Sequence, residues 1–309
     1  MNKVLHKQRP SNTKALSFLV IPIVELGLAI LCITILQSPF SYILSQFLLA
    51  ILFFQCFILL HECGHMSFFR YKWANRGFGY LMGFISFIPY SSWVEIHNLH
   101  HKWTGFRDKD PTTEGTVNPN FSSFTKALVN LSWRLYIPLF TLGYRFGNYW
   151  NLGKMKRHLK PQSIRRIRLN MLIQFVLYTG IILLTRKIFF FYVLPAYILS
   201  LVISDLIILS QHSHIDIPIA GKNPVRPVRF SEQVVYTRSI TMPKFIAHYF
   251  LFNFNLHQAH HQHPSLPSYY LGDVAVEKAN APAMLQYLKR FKSMSGMNFV
   301  FKTEGNIRS

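Results

Sequence analysis

Four stretches of this chain, residues 15 to 37, 41 to 60, 169 to 185 and 188 to 210, are apolar runs of about twenty residues with few charges. Such a run covers a hydrocarbon core of about 30 Å as a helix, and a backbone in that core must satisfy its own N–H and C=O groups. Only residues 38 to 40 and 186 to 187 separate the members of each pair, which predicts two helical hairpins. The apolar stretch 78 to 93 is too short to span and reads as a re-entrant or interfacial segment. Residues 128 to 150 and 245 to 256 mix aromatics with Arg, His and Asn, which suits helices at the membrane surface. The expected fold is an all-α integral membrane protein with four transmembrane helices. Residues 1 to 309 read as one membrane-embedded domain, with tails 1 to 14 and 275 to 309 in the cytoplasm.

Charge gives the orientation. There are 33 Lys and Arg against 12 Asp and Glu, a net charge of +21. With a cytoplasmic N-terminus, four spans place 31 of the 33 cations on one face, leaving Arg186 and Lys187 on the other. Topology explains most of the excess, and no further feature supports nucleic-acid binding. The apolar run after the basic N-terminus is too long for a secretory signal and lacks a small-residue cleavage site, so the first helix is expected to remain. Cys32 and Cys56 lie in apolar runs and Cys63 among histidines, which offers no disulfide framework and suits a reducing face.

Eleven of the 14 His fall in four clusters: His61 and His65; His97, His100 and His101; His212 and His214; His257, His260, His261 and His263. All four clusters land on the same predicted face, in a helical cap at or just outside membrane depth. Positions i, i+3 and i+4 share a helix face, so H-x-x-x-H and H-x-x-H-H each present imidazoles to one region. Chance supplies one H-x-x-H-H roughly 0.03 times in a chain of this length and His content, and there are two. Imidazole suits Zn, Cu, Fe and Ni, and affinity order does not choose among them. Number is more informative. A structural zinc site takes four ligands, so about nine convergent rings are too many for one ion and fit a pair. A redox-active pair beside a membrane points to iron and dioxygen chemistry.

HECGH, HNLHHKWTGFRDKDP, LSQHSHIDIP and FNFNLHQAHHQHP resemble, in order and spacing, the His boxes of the membrane fatty-acid desaturase superfamily, from about residue 50 to about residue 270. The QHSH element looks like that of the methyl-end acyl-lipid desaturases. The resemblance implies an oxygen-dependent enzyme that introduces a cis double bond into an acyl lipid. It implies two non-haem irons held by His61, His65, His97, His100, His101, His212, His257, His260 and His261, with O2 as co-substrate. His214 and His263 match less regularly. Some acyl-CoA desaturases carry an Asn one turn before the fourth-span His; here the position is Ile208, which argues against that subgroup. His257 stands where front-end desaturases usually have Gln, and no cytochrome domain is fused.

Metal-bound imidazoles usually donate their second N–H to a carboxylate or carbonyl. Glu62, Glu95, Asp108, Asp110, Asp216 and His214 are candidates for that support, against the simpler reading of surface ion pairs with Lys102, Arg107 or Lys109. Glu25 and Asp205 lie within spans, where an ionisable group is expensive and faces protein or a cavity. Asp205 is two turns before His212 on the same face, placed to support the metals or line an acyl channel. The aromatics read as lipid-facing belts and core. With no flavin, nicotinamide or haem motif, the two electrons per turnover must come from a separate protein such as a ferredoxin or a cytochrome, which the cytoplasmic cations would steer. Competing readings are a carotenoid ketolase or hydroxylase, or a lipid or alkane hydroxylase, of the same superfamily. A His-rich metal transporter is more distant, because the ligands sit at one face and no repeat is visible.

Overall fold

A computed structural model describes residues 8–117, 120–274 and 281–302. Among them there is no β-strand; Thr241 and Ala283 form an isolated bridge and the rest is helices and turns. Helix α1 (Asn12–Leu36) starts where the Ser11 hydroxyl accepts the Lys14 N–H, and it ends where Gln37 turns left-handed at φ 42°. Helix α2 (Pro39–Gly64) starts at once with a reciprocal cap: Ser38 Oγ accepts the Ser41 N–H at 3.1 Å and Ser41 Oγ accepts the Ser38 N–H at 2.8 Å. Its 26 residues rise about 39 Å, more than the hydrocarbon core needs, so the helix outlasts the apolar run and carries His61 in its last turn.

The apolar stretch 78 to 93 is not one element. It is the end of α3 (Lys72–Ile85), a turn, and the start of α4 (Tyr90–Trp103). Phe87 adopts φ 56°, Ile88 N–H returns to Gly83 C=O at 2.9 Å, and Pro89 stands before the first residue of α4. A Cβ on Gly83 would meet the Ile88 carbonyl oxygen at 2.7 Å, so this tight reversal requires glycine.

Residues 128 to 150 are likewise divided, into α5 (Ser123–Arg134), α6 (Leu139–Arg145) and a wide turn Phe146–Trp150, with the break at Pro138. After α7 (Leu152–His158) come α8 (Pro161–Leu184) and α9 (Arg186–His212), both long and apolar enough to cross a membrane, as are α1 and α2. Residues 245 to 256 form a single turn and loops before the short α10 (His257–Gln262) and α11 (Ser268–Val274). The described part of the C-terminal tail is ordered helix, α12 (Met284–Lys292) and α13 (Gly296–Phe301). Tyr287, Phe291 and Phe299 there pack with Trp133 and Ile240. Residues 1–7, 275–280 and 303–309 of the expected tails lie outside the described residues.

Helix α2 is the hub, packed against α1, α3 and α9. The outer faces of the long helices stay uncovered and apolar: Ile23, Phe175 and Leu184 are 68%, 65% and 87% exposed, a surface that suits lipid. At the end of α2, the fully buried Trp93 ring of α4 fills the space a side chain at Gly64 would need, 2.0 Å from an added Cβ. Alanine usually favours a helix over glycine by about 1 kcal/mol. Here overpacking wins: Gly64→Ala should destabilise the protein by about 1–3 kcal/mol, read as a lowered thermal unfolding midpoint in detergent. An unchanged midpoint would mean that α2 and α4 slide apart freely.

Candidate metal centre

Four elements, α2, α4, α9 and α10, deliver nine imidazoles to two adjacent clusters. His61 and His65 from the end of α2, His97 and His101 from α4 and His260 from α10 place ring nitrogens all within 4.8 Å of one another. His100, His212 and His261 form a second such group, and His257 Nε2 joins it at 2.7 Å from His212 Nε2 and 3.1 Å from His261 Nε2. Helical phase does the sorting. In each H-x-x-H-H box the i and i+4 rings go to one cluster, and the i+3 ring, turned aside by one residue's rotation, goes to the other. The clusters touch through the His101 and His261 rings, whose centroids are 4.4 Å apart.

Contacts on the far side of the rings fix which nitrogen points inward. Asp110 Oδ2 lies 2.6 Å from His100 Nδ1, and the Thr112 N–H and hydroxyl both donate to Asp110 Oδ1. Gln233 donates its amide N–H groups to the carbonyls of His101 and Val228. Its oxygen is therefore left to accept from His261 Nδ1 at 3.0 Å. Glu62 Oε1 sits 3.2 Å from His61 Nδ1, while its other oxygen accepts the Ser268 N–H at 2.8 Å. Each acceptor holds the proton on Nδ1 and leaves an Nε2 lone pair facing the cluster.

The donor set fits metal. His61 Nε2 is buried without a hydrogen-bond partner. The Nε2 atoms run His65, His97, His101, His260 at spacings of 3.0, 3.0 and 3.2 Å. Neighbouring nitrogens bound to one ion at about 2.0–2.1 Å lie about 2.9–3.4 Å apart at angles near 90–110°, and these three spacings fall in that range. Burial first, then the neighbouring imidazoles, drives His97, His101, His257, His260 and His261 well below the ordinary imidazole range, and His65 to about 3. These rings are neutral at pH 7, the form that binds metal.

Several expected helpers lie elsewhere. The Asp108 carboxylate accepts the N–H groups of Ala220 and Gly221, because its loop turns it away from α4 while Asp110 turns inward. Asp216 is exposed and meets no ring of the clusters, and His214 faces the Lys302 carbonyl and the Phe291 ring. His263 belongs to neither cluster. Glu95 pairs with Arg166 and Ser163 of α8, and Glu25 accepts from Gln55. Asp205 accepts the Thr141 N–H at 2.6 Å and touches no cluster ring. With His212 and Ile208 it lines a cavity of about 430 Å³. Gln233 and Thr112 carry no sequence signal: one lies in a short 3-10 helix and the other in a turn, neither is acidic nor near a box in a fixed register, and only folding brings them to the rings.

The sequence pattern of the fatty acid desaturase family matches residues 38–292, a stretch that holds all nine rings. The chain belongs to the fatty acid desaturase family. Among similar proteins, the sn-1 acyl-lipid omega-3 desaturase (ferredoxin) of Nostoc sp. (strain 36) is 33% identical over 110 residues, 34% of this chain and 31% of that protein. The Delta(12) fatty acid dehydrogenase of Crepis alpina is 29% identical over 141 residues, 42% of this chain and 38% of that protein. The sn-1 oleoyl-lipid 12-desaturase of Picosynechococcus sp. is 41% identical over 54 residues, 18% of this chain and 16% of that protein. The chain thus spans about a third of the length of the first two of these relatives.

Two outcomes follow from this desaturase-family centre. Asp110→Ala, which leaves the His100 Nδ1–H without its carboxylate, should weaken metal retention about 10–100-fold in a chelator competition, with the helical circular dichroism unchanged. Unaltered retention would remove Asp110 from the centre's support. For pH, the folded rings resist protonation while the unfolded chain takes protons at about 6.5, so their contribution to stability is whole above that value and shrinks as pH falls. The metal-free protein should therefore show a lower unfolding midpoint at about pH 5 than at about pH 7.

Proposed function

We propose that this protein is a membrane-embedded, oxygen-dependent acyl-lipid desaturase whose nine imidazoles hold two non-haem irons, five rings around one and four around the other. The observation that carries the reading is the pair of adjacent imidazole clusters, at metal-ligand spacing, in a chain of the fatty acid desaturase family. The reaction converts –CH2–CH2– in an acyl chain to a cis –CH=CH–, with O2, two electrons and two protons going to two waters. A reduced iron pair, once bound, supplies from O2 the oxidising power that no side chain has.

The chain's own residues position. The cavity beside His212 has Leu139, Phe140, Ile208 and Leu209 in its mainly apolar lining, which would hold a methylene pair beside that ring of the four-ring cluster. Asp110, Gln233 and Glu62 keep the Nδ1 protons of His100, His261 and His61 in place, so those rings present lone pairs without shedding protons. In this reading the N-terminus is cytoplasmic, α1–α2 and α8–α9 form two hairpins, and α3 and the start of α4 lie at the interface. The His boxes sit in a cytoplasmic cap, all within one domain. The name of the Nostoc relative includes ferredoxin, and the cationic face suits such an acidic carrier, or a cytochrome, as electron donor.

Expression in a host without polyunsaturated lipids, followed by mass analysis of its fatty acids, tests the reading. A product two hydrogens lighter than its parent is expected, and His100→Ala should abolish it while the protein stays in the membrane. A product carrying an added oxygen would mark a hydroxylase. Purified protein should hold two irons per chain, whereas exchangeable zinc with transport activity would overturn the enzyme.

A further inference from the structure

Three aromatic rings outside the histidines touch the clusters among the described residues: Trp93 on His61, His65 and His97, Phe254 on His61 and His257, and Phe230 on His101. Trp93 and Phe254 are 1% and 6% exposed, but Phe230 is 47% exposed. Its ring stands edge-on to His101 with centroids 6.4 Å apart, so one face of an aromatic in contact with a cluster ring is open to the outside.

Phe230 opens a short 3-10 helix, Phe230–Tyr236, in the loop between α9 and α10, outside the four helices long and apolar enough to cross a membrane. Two segments of that loop lie against the end of α4 and the residues after it. Pro218 accepts the Arg107 N–H and Gly221 accepts from Lys109 Nζ, while Val228 and Tyr236 close on Gly105 and Gln233 donates to the His101 carbonyl. The exposed apolar residues Ile219 and Val235 flank this stretch, and the exposed cations Lys222, Arg226, Arg229 and Lys102 accompany it. Against them stand Asp108, tied to Lys109 and to two backbone N–H groups, and the exposed Asp216 and Glu232. An apolar centre with a mainly cationic surround is the complement of an acidic carrier's redox face.

Resting on the reading that the clusters hold redox metals, we infer that this patch is where an acidic one-electron carrier docks, with Phe230 as its contact nearest to the metals. Each encounter oxidises the carrier by one electron, and two encounters supply one turnover. The loop's grip on His101 and His261 through Gln233 gives docking a direct mechanical connection to the rings.

The test uses the full-length protein in nanodiscs of zwitterionic lipid, with reduced plant-type ferredoxin as the acidic probe and basic cytochrome c as the control. Ferredoxin should bind, more weakly as salt rises, and with the same affinity to iron-loaded and iron-free protein; cytochrome c should not. Arg226→Glu with Arg229→Glu should raise the ferredoxin Kd at least tenfold, while Arg165→Glu with Arg168→Glu, equally exposed on α8, should change it less than threefold. Phe230→Ala should slow ferredoxin-driven reduction about tenfold and leave dithionite-driven reduction unchanged. Equal losses from the two charge reversals would show general attraction and overturn the site. So would an absence of ferredoxin binding, or binding of this face to anionic vesicles instead of the carrier. Because binding is read without iron or product, a negative result in the lipid assay leaves this test standing, and failure here leaves the desaturase reading intact.

Discussion

Nine imidazoles, seven buried and two half-buried, whose ring nitrogens converge within a few ångströms are the constraint that the rest of this structure serves. Burying polar nitrogens without partners costs roughly 1–3 kcal/mol each, and bringing like dipoles together adds to that cost. A cation at each cluster reverses the sign, because the orphaned His61 Nε2 and the 3.0 Å Nε2 contacts become ligand spacings. The tautomers are what make this work. Asp110, Gln233 and Glu62 each hold a proton on the outer nitrogen, so the inner one is available to metal.

Helix geometry decides which rings share a face. In α4 and α10 the i, i+4 pair and the i+3 ring are divided between two centres by the helical twist alone, so one motif serves both clusters. The excess length of α2 carries His61 past the apolar run, and α9 ends on His212. The turn at Gly83 to Pro89 lets α4 start where Trp93 packs on Gly64 and stacks on His97 at 4.2 Å, pressing the second box against the first. The packing of one glycine thus governs the approach of two His-bearing segments.

What could be read from the sequence was what is local. The four spans and the His boxes are periodic or spaced patterns set within a single helix, and they sit close to where the pattern put them. Supports that arise from loops were not legible in this way. Asp108 and Asp110 are two residues apart beside the same box, and composition cannot say which turns inward; the loop's hydrogen bonds decide. Gln233 reaches His261 from a short turn that is far from α4 in sequence, and a neutral amide draws no attention in a chain where acids are scarce. The stretch 78 to 93 was legible as an apolar segment too short to span, but its division into two helices was not, because hydropathy averages over the glycine and proline at the break.

The two clusters differ in a way that bears on chemistry. Five rings surround the first, and it is closed over by Trp93 and Phe254. The second has four, and His212 stands in the wall of the cavity that also contains Asp205, Ile208 and Leu209, a stripe at i, i+3, i+4 and i+7 on α9. Ile208, where an Asn would add a polar group one turn from the ligand, keeps this stripe apolar between Asp205 and the ring. Catalytic metals keep a position free of protein ligands, whereas purely structural ones fill their shell. The cluster with fewer rings is also the one that reaches this cavity of about 430 Å³, so under the proposed desaturase reading ligand number and access agree on the side the substrate would use.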